Sequence, residues 1–426
     1  MRELPFKELA SRTIGEYRTV KPVGLEASFD SDLKGVNGRR LMQRISGGVW
    51  MPMNDDEEVE PKDGNDLITT IDVNIQDVAE SALYAHLLKQ NADHGCAVLM
   101  EVATGEIKAI ANLSRTKQGD YVEDFNYVIG EATEPGSTMK PFTVAAGLES
   151  GKYTPRSLFN TAPGSMQVYD KLIRDHENYG VIDLGTIITK SSNVGAAQIA
   201  LSLPREALPH LFSRMGFGRT TGSGFPGESA GILQPPERWR PVEVATMSYG
   251  YGVTVTAMQL ARAYATLASG GIERPVSFLK VGGPVKGERV LDKSITEKIM
   301  PMLESVVTAD GTAFKAAVPG YRIAGKTGTA HKAQNGGYAA DQYMSTFVGM
   351  APASKPKVVL VVVIDSPNGQ YYGGLVSAPV FSRIMAETLR LMNVEPDKSA
   401  EHLAQQGALP IATPVARLPM TRGAGA

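Results

Sequence analysis

Residues 134–141 read Glu-Pro-Gly-Ser-Thr-Met-Lys-Pro, and the meaning of this stretch decides how the rest of the chain is read. A Pro-Gly turn signal is followed by Ser137, with Lys140 three residues later. On a helix, positions i and i+3 share a face with Cβ atoms roughly 5–6 Å apart, so Lys140 can reach the Ser137 hydroxyl. The same spacing fits a plain N-cap followed by a surface lysine. S-x-x-K begins at Ser31, Ser114, Ser137, Ser277 and Ser354, so the pattern alone chooses neither reading.

Working outward, 426 residues with 42% hydrophobic and 21% charged content predict one main folded domain with appendages. A formal charge of −2 without long runs of like charge argues against a nucleic-acid partner. Cys96 is the only cysteine, which excludes an internal disulfide. No stretch approaches the roughly 18–20 apolar residues of a membrane span, and VVLVVVI at Val358 to Ile364 has the length of a buried strand. The segment after Met1 lacks the apolar core of a secretory signal. The chain as given is expected to be soluble, with any membrane anchor lying outside it.

The acidic run at 54–61 reads as a linker, placing a boundary near Lys62 and a main domain over 62–395. Residues 396–426, rich in Ala, Pro, Arg and Gly, read as a flexible tail or linker. Within the main domain the pattern predicts a strand at LITTIDV (67–73), then a helix from near Asn74 with Val78, Ala82, Leu83 and Leu87 on one face. AVLMEV and IKAIAN flank the turn at 103–106 as a hairpin. Apolar helices follow at Phe142 to Leu148 and after the capping box Thr256-Ala-Met-Gln259. Two strands close the pattern, STFVGMAP and KVVLVVVID. Strands at both ends of a helical middle predict an α+β fold with one sheet assembled from distant parts of the chain.

Several motifs fail on context. Gly222-Ser-Gly-Phe-Pro-Gly227 matches a dinucleotide fingerprint, yet no strand precedes it and Pro226 interrupts it, so it reads as a turn. Ser229 sits in a G-x-S-x-G frame, but Pro226 before it and Pro235-Pro236 after it leave no room for a long helix. The six histidines show no metal-ligand spacing, so neither metal nor cofactor is expected. Three motifs remain: Ser137-x-x-Lys140, Ser191-Ser-Asn193 between two helical segments, and Lys326-Thr-Gly-Thr329 at the end of a short strand YRIAG with strand-like sequence after it.

S-x-x-K, S-D-N and K-T-G together mark penicillin-binding proteins and class A β-lactamases. This chain resembles the transpeptidase domain of a class B penicillin-binding protein of the cell-division type. TIDVNIQDVAESAL, ATGEIKAIAN, GYGVTVTAMQLARAYATLASGG and YYGGLVSAPVF extend the likeness, and residues 23–40 resemble the end of the family's N-terminal pedestal. The resemblance, over roughly residues 20–395, implies a central antiparallel sheet with helices on both faces, an all-helical subdomain, and a partial pedestal in residues 1–61. It implies Ser137 as nucleophile and Lys140 as its base, with the backbone N–H groups of Ser137 and Thr329 as oxyanion donors. A lysine base must be neutral, and burial, the helix N-terminus and the nearby Lys326 all lower its pKa. Pro141 is expected to distort the helix start. Ser191 would relay a proton to the leaving amine and Asn193 would bind the donor peptide's amide. Lys326, Thr327 and Thr329 would hold a terminal carboxylate, and Gly328 would let substrate approach the strand. Tyr371 and Tyr372 form either an apolar wall or part of the core. His331 fits a pocket rim or an exposed loop equally.

The implied activity is a serine D,D-transpeptidase that cross-links peptidoglycan stem peptides with release of D-Ala, and that β-lactams acylate. The implied setting is the outer side of the cytoplasmic membrane, with a glycosyltransferase and other division proteins as partners. The rivals are a β-lactamase or carboxypeptidase of the same fold, a β-lactam sensor or divisome scaffold without turnover, and an esterase using Ser229. Ser192 in place of the usual Asp is expected to point away from the cleft.

Overall fold

A computed structural model describes residues 6, 8–15, 23–53, 58–334 and 337–398. The helix expected near Asn74 is α1 (Val73–Gln90), capped by Asp72, whose side chain accepts from the Asn74 and Ile75 amides. The stretch LITTIDV before it is not a strand: Thr69 makes a single bridge to Leu279, and the rest leads into the cap. Its β-rich composition suited a strand, but its polar groups are engaged elsewhere, as when the Thr70 hydroxyl donates to the Ile107 carbonyl at 2.6 Å.

The predicted hairpin is β1 (His94–Glu101) and β2 (Ile107–Arg115), followed by the short β3 (Tyr121–Val122). The helical middle contributes α2 (Lys140–Glu149), α3 (Leu184–Lys190), α4 (Asn193–Leu201) and α5 (Ala257–Ala268), the last with the expected Thr256/Gln259 capping box. The chain then returns as β4 (Ala324–Gln334), β5 (Gly337–Ala351) and β6 (Val358–Asp365), and ends this unit with α6 (Gly373–Leu391). One antiparallel sheet runs β4-β5-β6-β1-β2-β3. Every residue of β6 is buried, which is why its sequence is a continuous apolar run without alternation.

Helices α1 and α6 pack on each other and on one face of the sheet, and α5 packs against β1 and β6 from the other. The helical half also carries two-stranded ribbons, at Leu158–Asn160 with Val181–Asp183 and at Ser165–Val168 with Lys171–Arg174. The expectation of a wholly helical subdomain is corrected to that extent. Residues 36–53 and 58–62 form an exposed antiparallel ribbon, bridged at Val36 to Lys62 and Arg39 to Val59. Residues 54–57 and those beyond 398, where part of the linker and the tail were expected, lie outside the described residues. Earlier in the chain, the Ala10 amide donates to Glu80 of α1 at 2.8 Å and the Arg12 amide to Glu123 at 3.0 Å.

Candidate active site

Ser137 lies in a 3-10 turn, Gly136–Met139, that runs directly into α2. It is not an N-cap, since no capping side-chain bond forms there. Because α2 begins only at Lys140, Pro141 falls in its first turn, where an N–H has no intrahelical partner to lose. The distortion expected at the helix start is this tighter turn. The buried Tyr264 hydroxyl of α5 donates to the Thr138 carbonyl at 2.7 Å and fixes it from behind.

Lys140 is fully buried, and its Nζ lies 2.8 Å from Ser137 Oγ. The same nitrogen meets the Ser191 carbonyl at 2.6 Å, Asn193 Oδ1 at 2.7 Å and Ser191 Oγ at 3.0 Å. The carbonyl and the amide oxygen can only accept. A neutral amine spends its two N–H groups on them and turns its lone pair to the Ser137 hydroxyl. Burial first, then the charge of Lys326, drive the Lys140 pKa well below its ordinary value, with Asp175 opposing. Lys326 is equally buried, its Nζ 3.0 Å from Ser191 Oγ, and burial brings its pKa down to about 7. Ser191 Oγ thus bridges the two lysines.

Ser191, at the C-terminus of α3, adopts φ 60°, and this left-handed kink turns the chain into α4. Ser192 caps α4 and is fully buried, so it faces away from the cleft as expected. Its hydroxyl donates to Asp175 Oδ2 at 2.6 Å, while the Asn193 and Val194 amides donate to Asp175 Oδ1 at 2.5 and 3.0 Å. Asn193 Nδ2 donates to the Arg174 carbonyl at 2.9 Å.

On the opposite wall, Lys326-Thr-Gly-Thr329 lies inside β4 instead of ending the strand predicted at YRIAG, which is non-strand up to Ile323. The strand-like sequence expected after the motif belongs to this same β4, and the buried polar Lys326 and Thr327 hid only that the motif lies within it. Among the described residues β4 pairs with β5 alone, and such an edge strand can take an extended peptide alongside it. Gly328 also has a packing role that was not expected. A Cβ there would meet the Pro135 carbonyl oxygen at 2.8 Å and Thr138 Cγ2 at 2.9 Å, so the missing side chain lets β4 approach the nucleophile turn.

A cavity of about 550 Å³ collects Ser137, Ser191, Asn193, Thr327, Thr329, Tyr371 and Tyr372, with Lys140 and Lys326 buried at its floor. The two tyrosines are a wall: Tyr371 stacks on Tyr343 at 4.0 Å, and Tyr372 is 41% exposed. His331 also lines the cavity, from β4 and not from a loop. Sequence reasoning missed Asp175, His176, Tyr249, Tyr251, Thr312 and Tyr343. Only the Gly-Tyr-Gly run at 250–252, within a stretch already singled out, offered a signal. Among the described residues no His, Cys, Asp and Glu group is placed to hold a metal.

Gly250 backs the nucleophile turn. It has φ +89°, it accepts from the Gly136 amide at 3.2 Å, and a Cβ on it would fall 2.0 Å from the Gly136 carbonyl oxygen. Gly250→Ala is therefore expected to cost about 1–3 kcal/mol and to slow acylation of Ser137 by displacing its turn. Thermal melting and the rate of covalent penicillin labelling check this, and a variant matching the parent in both would refute it.

Residues 95–386 match the family described as penicillin binding protein transpeptidase domain. The chain belongs to the penicillin-binding protein transpeptidase family. Among its relatives, peptidoglycan D,D-transpeptidase FtsI of Escherichia coli K12 is 41% identical over 380 residues, 88% of this chain and 64% of the relative. The probable peptidoglycan D,D-transpeptidase PenA of Neisseria flavescens is 37% identical over 388 residues, 89% of this chain and 96% of that protein. The TP domain of penicillin-binding protein 3 from Burkholderia pseudomallei superposes with a TM-score of 0.73 at 40% identity, covering 78% of this chain and 98% of that one. This penicillin-binding protein transpeptidase chain thus spans under two thirds of the length of the E. coli relative it matches. No helix among its described residues is long and apolar enough to cross a membrane.

Proposed function

We propose that this chain is a serine D,D-transpeptidase that cross-links peptidoglycan stem peptides, with residues 62–395 as its catalytic unit. The observation that carries the reading is the Ser137 hydroxyl 2.8 Å from a buried Lys140 whose other contacts include two obligate acceptors. Ser137 Oγ attacks the carbonyl carbon of the penultimate D-Ala while its proton moves to Lys140 Nζ. Backbone N–H groups of Ser137 and Thr329 receive the oxyanion. As the C–N bond breaks, a proton passes from Lys140 through Ser191 Oγ to the departing amine, and D-Ala leaves. The amine of a second stem then attacks the Ser137 ester, gives up its proton to the same base, and restores the serine.

Lys326, Thr327 and Thr329 suit the donor's terminal carboxylate by charge and hydroxyl donors. The Asn193 amide keeps one N–H beyond its bond to Arg174 for the donor's backbone. The described residues lining the cavity include no Asp or Glu, so the site offers no carboxylate to activate water against the ester. That favours an amine as acceptor over the hydrolytic readings. The similarity to a peptidoglycan D,D-transpeptidase supports the reaction, and we further propose that it serves septal wall synthesis, outside the cytoplasmic membrane and beside a glycosyltransferase and other division proteins. β-Lactams present their strained amide carbonyl to the same serine.

Incubation with benzylpenicillin, followed by intact mass and peptide mapping, tests the reading. A long-lived adduct on the peptide containing Ser137 is expected. Label on another residue refutes the nucleophile, and rapid return to free protein identifies a hydrolase. Cross-linking itself is read with a polymerised glycan donor and an added acceptor amine.

A further inference from the structure

Two buried lysines meet at one serine hydroxyl, and one residue outside the three motifs places a carboxylate beside that turn. The family signature carries a carboxylate in the middle of S-D-N. Here that position is Ser192, and its hydroxyl donates to a carboxylate from another segment, Asp175. Asp175 follows the ribbon Ser165–Val168 and Lys171–Arg174, and its own amide is fixed by the Gly164 carbonyl at 2.9 Å. One oxygen takes the Ser192 hydroxyl and the other takes the Asn193 and Val194 amides, so all its contacts fall on the turn that presents Asn193. Its neighbours reinforce this. Arg174 accepts from the Asn193 side chain at 2.9 Å, and His176 meets the edge of Tyr372 at 5.7 Å across the cleft.

We propose that Asp175 is a positioning residue for acyl transfer: from the foot of the ribbon its carboxylate fixes the Ser191-Ser192-Asn193 turn against Ser137 and supplies negative charge facing Lys140. The inference rests on the proposed role of Ser137. Among the described residues, the charged and titratable groups near Asp175 include Lys140, Lys326, Arg174, His176, Glu177 and Tyr179. Of these, Asp175 raises the Lys140 pKa against burial and Lys326. Losing its charge lowers that pKa further, which makes the neutral base available at lower pH.

The test is the second-order rate of acylation by a fluorescent penicillin, measured against pH for the parent, Asp175→Ala and Asp175→Asn. Asp175→Ala frees the turn and is expected to slow acylation about 100-fold. An amide in the same shape still accepts from the two backbone N–H groups and donates to Ser192, so Asp175→Asn is expected to stay within about 10-fold of the parent. Its acid limb is expected to move to lower pH, which a merely structural role would not produce. An Asp175→Ala variant acylating at the parent rate overturns the proposal, and so does an Asp175→Asn variant with an unmoved acid limb. Should Asp175→Ala fail to fold, Asp175→Asn carries the test alone. A parent that forms no adduct at Ser137 sinks the proposed function instead, whereas a labelled parent with insensitive variants sinks only the role of Asp175.

Discussion

Lys140→Met is expected to slow acylation of Ser137 by about 10²–10⁴-fold, the range that general-base catalysis supplies, and Ser137→Ala to abolish the adduct. Met fills the buried space of Lys140 without a nitrogen, so Ser137 Oγ loses the neighbour now 2.8 Å away. The substitution also frees Asn193 Oδ1 and the Ser191 carbonyl from a shared donor, which adds to the loss. The pH profile of the parent follows from the two lysines. Lys140 must be neutral to accept the proton, so acylation rises with pH through its depressed pKa. Lys326 must keep its proton to attract a carboxylate, and with burial bringing its pKa to about 7 it sets the falling limb. A bound carboxylate raises that value and moves the limb to higher pH. Stopped-flow acylation checks both points, and a Lys140→Met variant within tenfold of the parent would remove the lysine from the role of base.

The second large effect is on stability. Asp365→Ala is expected to destabilise the fold by about 3–5 kcal/mol, the usual result of removing one partner from a buried charge pair. Asp365 ends β6 with no solvent exposure and receives Lys332 at 2.6 Å and His94 Nδ1 at 3.1 Å. His94 Nε2 continues to Glu131 at 2.9 Å, on the segment leading to Ser137. Burial alone would lower the His94 pKa, but the hydrogen bonds that Asp365 and Glu131 accept from its ring win and raise it from 6.5 to about 9. Burial would likewise raise the Asp365 pKa, yet His94 and Lys332 hold it below 3.8. The His94 contribution is therefore complete below its unfolded pKa and is lost as pH rises through about 9. The Asp365 contribution is complete above its unfolded pKa and is lost in acid as the carboxylate protonates. Urea unfolding of parent and variant reads this directly, and equal midpoints for the two would show that the chain of charges contributes nothing.

Much of this was legible in the sequence because local chemistry and tertiary structure agree there. The hairpin of β1 and β2, the capping box of α5 and the apolar run of β6 each announce themselves within a short window. The three motifs brought Ser137, Lys140, Ser191, Asn193, Lys326, Thr327 and Thr329 together because each carries a chemical role that fixes its residue types. The failures have a common cause. LITTIDV has strand composition but spends its hydrogen bonds on isolated partners, and the place of Lys326-Thr-Gly-Thr329 within β4 hides behind buried lysine and threonine side chains. The packing role of Gly328 was missed because its close neighbour is the Pro135 turn, far from it in sequence. Asp175 gave no sign, since an aspartate after a short ribbon looks like any turn residue until its partners at 192–194 are seen.

The strand order has a consequence for how the chain reaches this state. β1 pairs along its full length with β6, joining residues 94–101 to residues 358–365, and the whole helical half is threaded between them. A chain emerging from its N-terminus makes the β1–β2 hairpin early, yet the flank of β1 that will hold β6 stays unpaired until nearly all the rest has been synthesised. Contacts of such long range close slowly, because the entropy of the intervening loop is lost before the pairing compensates it. During that wait the Val-Leu-Met row of β1 is an adhesive edge, open to pairing with another chain. The nucleophile turn, built on α5 and β4 together, becomes competent only after this last closure, so chemistry at Ser137 is a property of the finished sheet alone.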